Sequence, residues 1–290
     1  MITTRPSVRY ELDPVGMNVF DCRWNTRRRM GIGDKLVVCA AIQQIEAAGF
    51  FVSAQRNDAD AEIFDLCGIN HICNTRDWRV IPWTDHVMAI PFGMTTDEMG
   101  AVDTESSHPV ERALWSIGLD RYAKPSPAFS IKHRGKKKAE TVAWSPIEVS
   151  RAPCGITPQE WEPILSGMMN PQTTVDLWCA TSDQPRAFDL IRDFSPTVAK
   201  RIRIRSASSF GRWADGMASC ETVLTANTGG LWVGIGIGST VTVVQHPATF
   251  PHAAMWQARA WPGVSVVEIP DNGARRLPVE PWRVSSPSSA

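Results

Sequence analysis

The sequence has no excess of either charge: lysine plus arginine number 30 and aspartate plus glutamate 30, over 290 residues. A balanced total excludes a protein that is basic all over, yet leaves local clusters able to bind an anion. There is no apolar run near the roughly 20 residues that a membrane span needs. Met1 to Arg9 has no apolar core, so it does not read as a secretion signal. These two absences predict a cytoplasmic protein. The seven cysteines, scattered from Cys22 to Cys220, include no C-x-x-C, and no pair has a histidine at zinc spacing. They read as reduced and mostly buried. His71, His86, His108, His133, His246 and His252 show no ligand spacing either. A Walker A loop is missing, because there is no G-K-[ST]. No repeat of solenoid period occurs.

What is present is an alternation of short apolar runs and amphipathic stretches. Val19 to Trp24 reads as a strand. A polar, basic loop follows from Asn25 and ends in Gly31-Ile32-Gly33-Asp34. The spacing of Leu36, Val37, Ala40, Ala41, Ile45 and Ala48 predicts a helix over 35–48, stopped by Gly49. Phe50 to Ala54 reads as a strand, Ala59 to Leu66 as a short helix, His71 to Cys73 and His86 to Ile90 as strands, and Pro109 to Leu119 as a helix. The stretch from Lys124 to Lys138 is rich in proline and lysine and reads as a linker. The alternation then restarts: strands at Thr141–Trp144, Val175–Cys179, Arg201–Arg205, Thr222–Ala226, Thr240–Gln245 and Val264–Ile269, and helices at Pro158–Met168, Pro185–Asp193, Phe210–Ser219 and Gly229–Ile237. Such alternation implies α/β domains with parallel sheets. We place an N-terminal domain at 1–130, a second at 131–270, and a Pro/Ser-rich tail at 271–290.

Three places could carry chemistry. Gly31-Ile32-Gly33-Asp34 lies between a strand and a helix. Its glycines let backbone approach a ligand, and the helix start offers unpaired N–H groups. Asp34 there is either a helix cap or a general base. The second place is Asn227-Thr228-Gly229-Gly230, a strand-to-helix turn suited to cradling a diphosphate, with His246 at the end of the next strand. The run Gly234-Ile235-Gly236-Ile237-Gly238 precedes a strand instead of following one, so it is not a dinucleotide fingerprint. The third is Ser145 with Arg151, at the carboxyl end of the first strand of the second half, where either residue could reach a phosphate oxygen. Asp58-Ala59-Asp60 matches the short D-x-D pattern of metal-dependent transferases, but aspartate is favoured at a helix start anyway. No metal site is assigned.

The segment Val223-Leu224-Thr225-Ala226-Asn227-Thr228-Gly229-Gly230-Leu231-Trp232, continuing through Gly238-Ser239-Thr240-Val241-Thr242-Val243-Val244, resembles the donor motif of bacterial heptosyltransferases, glycosyltransferase family 9. The loop at Gly31-Ile32-Gly33-Asp34 is similar to that family's acceptor-side loop. In family order the resemblance runs from about residue 18 to about residue 250. It implies a GT-B fold: two Rossmann-like parallel-sheet domains facing across a cleft, with the acceptor on the first and a nucleotide sugar on the second. It also implies that Asp34 is the catalytic base of an inverting, metal-independent transfer, with no cofactor beyond the nucleotide-sugar co-substrate. Two departures stand out. Asn227 replaces the family's Asp, and Gly230-Leu231-Trp232 replaces its Pro-Met-His, so the donor sugar is expected to differ.

Arg27, Arg28 and Arg29 beside the base loop suggest an anionic acceptor. Two acceptors fit: a hydroxymethylated base in DNA, as glycosylated by transferases of phage origin, or a phosphorylated saccharide such as a lipopolysaccharide core. The further basic clusters at Lys132 to Lys138 and Lys200 to Arg205 tilt the reading slightly to DNA, with the target base flipped toward Asp34. The host would then be a bacterium or a phage-infected cell. Two other classes stay open: a sugar-nucleotide epimerase, and a nucleic-acid-binding protein without catalysis.

Overall fold

In the computed structural model, residues 19–23, 31–47, 51–55, 60–69, 81–82, 110, 129–147, 156–226, 228–245 and 263–269 are described. The N-terminal half contributes β1 (Val19–Arg23), α1 (Ile32–Ala47), β2 (Phe51–Gln55), α2 (Ala61–Leu66) and β3 (Ile81–Pro82). β1 lies between β2 and β3, and both pairings are parallel. β3 was not anticipated from the sequence. The strands expected at His71–Cys73 and His86–Ile90 lie outside the described residues. Of the helix expected from Pro109, only Val110 is described; it is helical and buried.

The second half runs β4 (Lys138–Ser145), α3 (Pro158–Met168), β5 (Thr174–Ala180), α4 (Gln184–Arg192), α5 (Pro196–Ala199), β6 (Ile202–Ala207), α6 (Phe210–Ala218), β7 (Cys220–Ala226), α7 (Gly229–Gly236), β8 (Thr240–Gln245) and β9 (Val264–Glu268). These strands form one parallel sheet in the order β6-β5-β4-β7-β8-β9. The chain builds outward from β4 to one edge, then returns to β4's other side and builds outward again. That is the doubly wound order, with its switch point between β4 and β7. Local signals end the helices where the sequence suggests. Pro158 opens α3 and Glu160 Oε2 accepts from Thr157 N at 2.7 Å, closing a capping box.

Alternating side chains send the sheet's apolar groups to two faces. Val142, Trp144, Leu177 and Leu224 pack with α3, α4 and α5 on one face. Trp144 meets Trp161 edge to face at 5.5 Å and Phe194 at 5.6 Å. On the other face Ala143, Val223, Val241 and Val243 pack with α6 and α7, and the same continuous cluster takes in Leu36, Val37, Ala40 and Ile42 of α1 and Phe64 of α2. The two halves therefore share a core. This also explains why α1 departs from a one-sided pattern: Cys39, Ile42 and Gln44 are buried as well as Leu36, Val37, Ala40 and Ala41. The glycines of α7 serve packing. A Cβ on Gly234 would lie 2.8 Å from Val241 Cγ2, and one on Gly236 2.5 Å from Ile131 Cδ1.

The end of the stretch read as a linker is a fixed strap. Ile131 N donates to Gly236 O at 2.7 Å and Lys132 N to Leu66 O at 2.7 Å. Gln43 Nε2 donates to Ser130 O at 2.9 Å, and Ser130 N to Gln43 Oε1 at 3.0 Å. The strap thus bonds to both halves. No helix among the described residues is long and apolar enough to cross a membrane. Cys39, Cys67, Cys179 and Cys220 are buried. Burial, with the nearby Asp176 charge adding to it, pushes the Cys220 thiol up from the usual 9.0 to about 11.

Two outcomes follow. On Gly135 a Cβ would lie 2.3 Å from the Asp215 carbonyl oxygen, at the end of α6. Gly135→Ala should therefore cost about 1–3 kcal/mol, read as a lower denaturant midpoint with an unchanged slope. Cys220 stays neutral in the folded chain at a pH where the unfolded thiol ionises, so its contribution is whole below 9.0 and is lost as the pH rises toward about 11. Stability measured across that window should fall less steeply in Cys220→Ala than in the parent.

Candidate functional site

In an open parallel sheet, ligands sit beyond the carboxyl ends of the strands flanking the switch point. Here those ends are Ser145 of β4 and Ala226 of β7, and Ser145 is registered against Thr225. Thr225 Oγ1 lies 3.0 Å from Ser145 O, 2.9 Å from Ala226 O and 3.4 Å from Thr228 Oγ1. The buried hydroxyl thus ties the two strand ends to the turn that follows. Thr228 is extended and caps α7: its Oγ1 accepts from Gly230 N at 3.1 Å.

This cap modifies one expectation. The Gly230 N–H is held by Thr228 and is not a spare donor. The N–H left without a partner among the described residues is that of Gly229, at the positive end of the α7 dipole. Gly230 is needed for another reason. A Cβ there would lie 2.5 Å from Thr225 Oγ1 and 2.8 Å from Ser145 Oγ. The structure therefore puts Ser145, Thr225, Thr228 and Gly230 in one place, drawn from segments about 80 residues apart.

The N-terminal half reaches the same place through α1. Helix α1 begins at Ile32 rather than at Lys35, so Gly33 and Asp34 belong to its first turn and not to a preceding loop. Gly31 lies just before that turn and its carbonyl accepts from Lys35 N at 3.3 Å. A Cβ on Gly33 would lie 3.2 Å from Trp232 Cδ1 and 3.5 Å from Gly229 Cα, and one on Gly229 would lie 3.4 Å from Gly33 N. The first turns of α1 and α7 thus abut. Asp34 is the third residue of α1, which puts its backbone next to the Gly229 turn; its side chain lies outside the described residues, as do Arg27, Arg28, Arg29, Arg151, Asn227 and His246.

Two walls of the site were not singled out from the sequence. Trp213 of α6 comes within 3.6 Å of a Cβ built on Gly229. Trp232 occupies the position of the missing family histidine; it is buried and fills the space beside Gly33. The substitution itself was the available signal, since a large apolar ring in a helix's first turn needs a facing surface.

The basic clusters lie elsewhere. Lys138 opens β4 and Ser145 closes it; Lys138 is registered against Cys220 and Ser145 against Thr225, so the cluster at 132–138 ends about 17 Å from the switch point. In the cluster at 200–205, Arg203 and Arg205 do share one face, but both pair with the buried Asp176, at 2.7 and 3.3 Å, and Arg201 donates to Asn170 O. Neither cluster lines the turn. The D-x-D pattern resolves as structure too: Asp60 forms a part-buried ion pair with Lys35. Asp58 lies outside the described residues.

No protein-family model and no curated protein matches the sequence. By structure the chain is similar to ADP-heptose lipopolysaccharide heptosyltransferase II of E. coli, at 8% identity, with a TM-score of 0.58 over 87% of this chain and 90% of that one. It is similar to a family 9 glycosyl transferase from Veillonella parvula at 9% identity, with a TM-score of 0.56 over 87% and 86%. It is also similar to E. coli heptosyltransferase WaaC with ADP at 14% identity, with a TM-score of 0.51 over 88% and 91%. At these identities the likeness is one of fold, and the chain has the α/β GT-B fold that these structures share.

Proposed function

We propose that the protein is an inverting glycosyltransferase that moves a sugar from a nucleotide-sugar donor to a hydroxyl of a saccharide acceptor. The observation that carries this reading is the meeting of the α1 and α7 first turns at the switch point, at Gly33 and Gly229. One turn offers the backbone N–H of Gly229 and a helix dipole to a diphosphate. The other carries Asp34 as the third residue of α1. The structural neighbours that are heptosyltransferases, one of them with ADP, support a nucleotide-sugar donor and a saccharide acceptor.

The step has a simple balance. The acceptor hydroxyl gives its proton to Asp34 while its oxygen bonds to the anomeric carbon. The bond from that carbon to the diphosphate oxygen breaks on the opposite face, and configuration inverts. The leaving diphosphate's charge falls on the start of α7, with Arg151 and Ser145 as further donors and His246 beside the sugar. Protein donors take the part that a divalent cation plays in other transferases. A DNA base as acceptor rests on Arg27, Arg28 and Arg29, because Lys132 to Lys138 lie toward the other end of β4 and Arg203 and Arg205 pair with Asp176.

The decisive measurement is product mass after incubation with a panel of nucleotide sugars and either an oligosaccharide mixture or hydroxymethylated DNA. A saccharide gaining one sugar is the expected result. Glycosylated DNA would transfer the acceptor assignment, and a changed nucleotide sugar with no acceptor present would make the protein an epimerase. Asp34→Asn should lower turnover by about 10²–10⁴-fold with nucleoside-diphosphate affinity kept; full activity in that variant removes Asp34 from the mechanism. Gly230→Ala should weaken ADP binding about tenfold or more, because its methyl group displaces the Thr225 and Ser145 hydroxyls.

A further inference from the structure

Helix α1 starts with little local support. Gly31 precedes it and has no side chain with which to cap it, and Gly33 in its first turn is a poor helix former. A Cβ at 33 would be tight only against the Trp232 ring, at 3.2 Å from Cδ1. Support from outside the helix reaches this turn. Lys35, in the same turn, makes an ion pair with Asp60, and the two side chains are only 16% and 9% exposed. Asp60 is the N-cap residue of α2, yet its side chain makes no capping bond to its own helix. Its carboxylate faces Lys35 instead.

Helix α2 is in turn fixed to the donor half. Glu62 Oε1 accepts from Ser209 Oγ at 2.9 Å, and Glu62 Oε2 accepts from Phe210 N at 2.9 Å, at the start of α6. A carboxylate suits a helix N-terminus on charge as well as on hydrogen bonding. Two residues of α2 thus make a bracket: Glu62 seats it on α6, and Asp60 reaches from that seat to α1.

We infer that Lys35 and Asp60 are a positioning pair, which holds the Asp34-bearing first turn of α1 against the start of α7 and so sets the distance between base and donor. The inference rests on the proposed transferase reading for its catalytic consequence, but not for the placement of the turn. Asp60→Asn keeps the shape and removes the charge, leaving Lys35 part-buried and unpaired. A shift of the turn by about 1 Å costs up to about 100-fold in a step that depends on orientation.

The test has two arms on the full-length protein. In the transfer assay, Asp60→Asn and Lys35→Met should lower kcat by about 10- to 100-fold with KM for the nucleotide sugar within about twofold. The double exchange Lys35→Asp with Asp60→Lys should recover much of the loss. In hydrogen exchange read by mass spectrometry, the amides of residues 32–36 should exchange faster in Asp60→Asn while those of 210–218 do not change. Unaltered exchange at 32–36 overturns the pair as a positioning device. Equal changes in kcat and KM, or no recovery in the double exchange, reduce it to a stability element and also overturn the proposal. If the parent transfers no sugar but the exchange result holds, the transferase reading falls and the positioning of the turn stands.

Discussion

The contact between Gly33 and Gly229 governs the rest of the site. The two helix starts lie so close that a Cβ built on either glycine would already be in van der Waals contact with the other's backbone. The approach is not favourable electrostatically, since each start carries partial positive charge and unpaired N–H groups. An anion between or beside them relieves that repulsion, which is why the geometry suits a leaving diphosphate. The apolar face behind them, with Leu36 and Val37 from α1 and Leu231 and Val233 from α7, supplies the attraction that keeps them together.

This contact changes what the two halves are to each other. One apolar cluster runs from α1 and α2 into α6, α7 and one face of the large sheet. The strap at Ser130 to Lys132 bonds to Gln43 and Leu66 on one side and to Gly236 on the other. The first turns of α1 and α7 are thus held by packing, by backbone hydrogen bonds and by the acidic residues at the start of α2. Buried ion pairs add little net stability, but they penalise arrangements in which one partner is left alone. That is the property needed to hold the two first turns in register.

Charge placement follows the same logic. The chain is neutral as a whole, and several of its charges are paired with partners distant in sequence. Asp176 draws in Arg203 and Arg205, Asp60 takes Lys35, and Glu62 caps α6. Runs of like charge in a sequence therefore overstate what a partner would meet at the surface, because strand pairing across β5 and β6 supplies counter-charges from a segment 27 residues away.

The sequence by itself determined the layered α/β plan and the turn that opens α7. Apolar periodicity of two and of 3.6 residues marks strands and helices locally, so α3 and β8 come out with their ends in place, and Thr228 with Gly229 marks a helix start whatever surrounds it. It did not determine where α1 begins. Glycine at 33 argues against helix by propensity, and its packing against Gly229 and Trp232 is a tertiary contact with no local trace. Nor did it determine the fate of the charged clusters or of Asp60, since an ion pair depends on three-dimensional neighbours and leaves no periodic trace. The order β6-β5-β4-β7-β8-β9 likewise comes from how the crossovers pack. That order brings Ser145 to Thr225, and the shared core brings Gly33 to Gly229, which makes one site out of three distant segments.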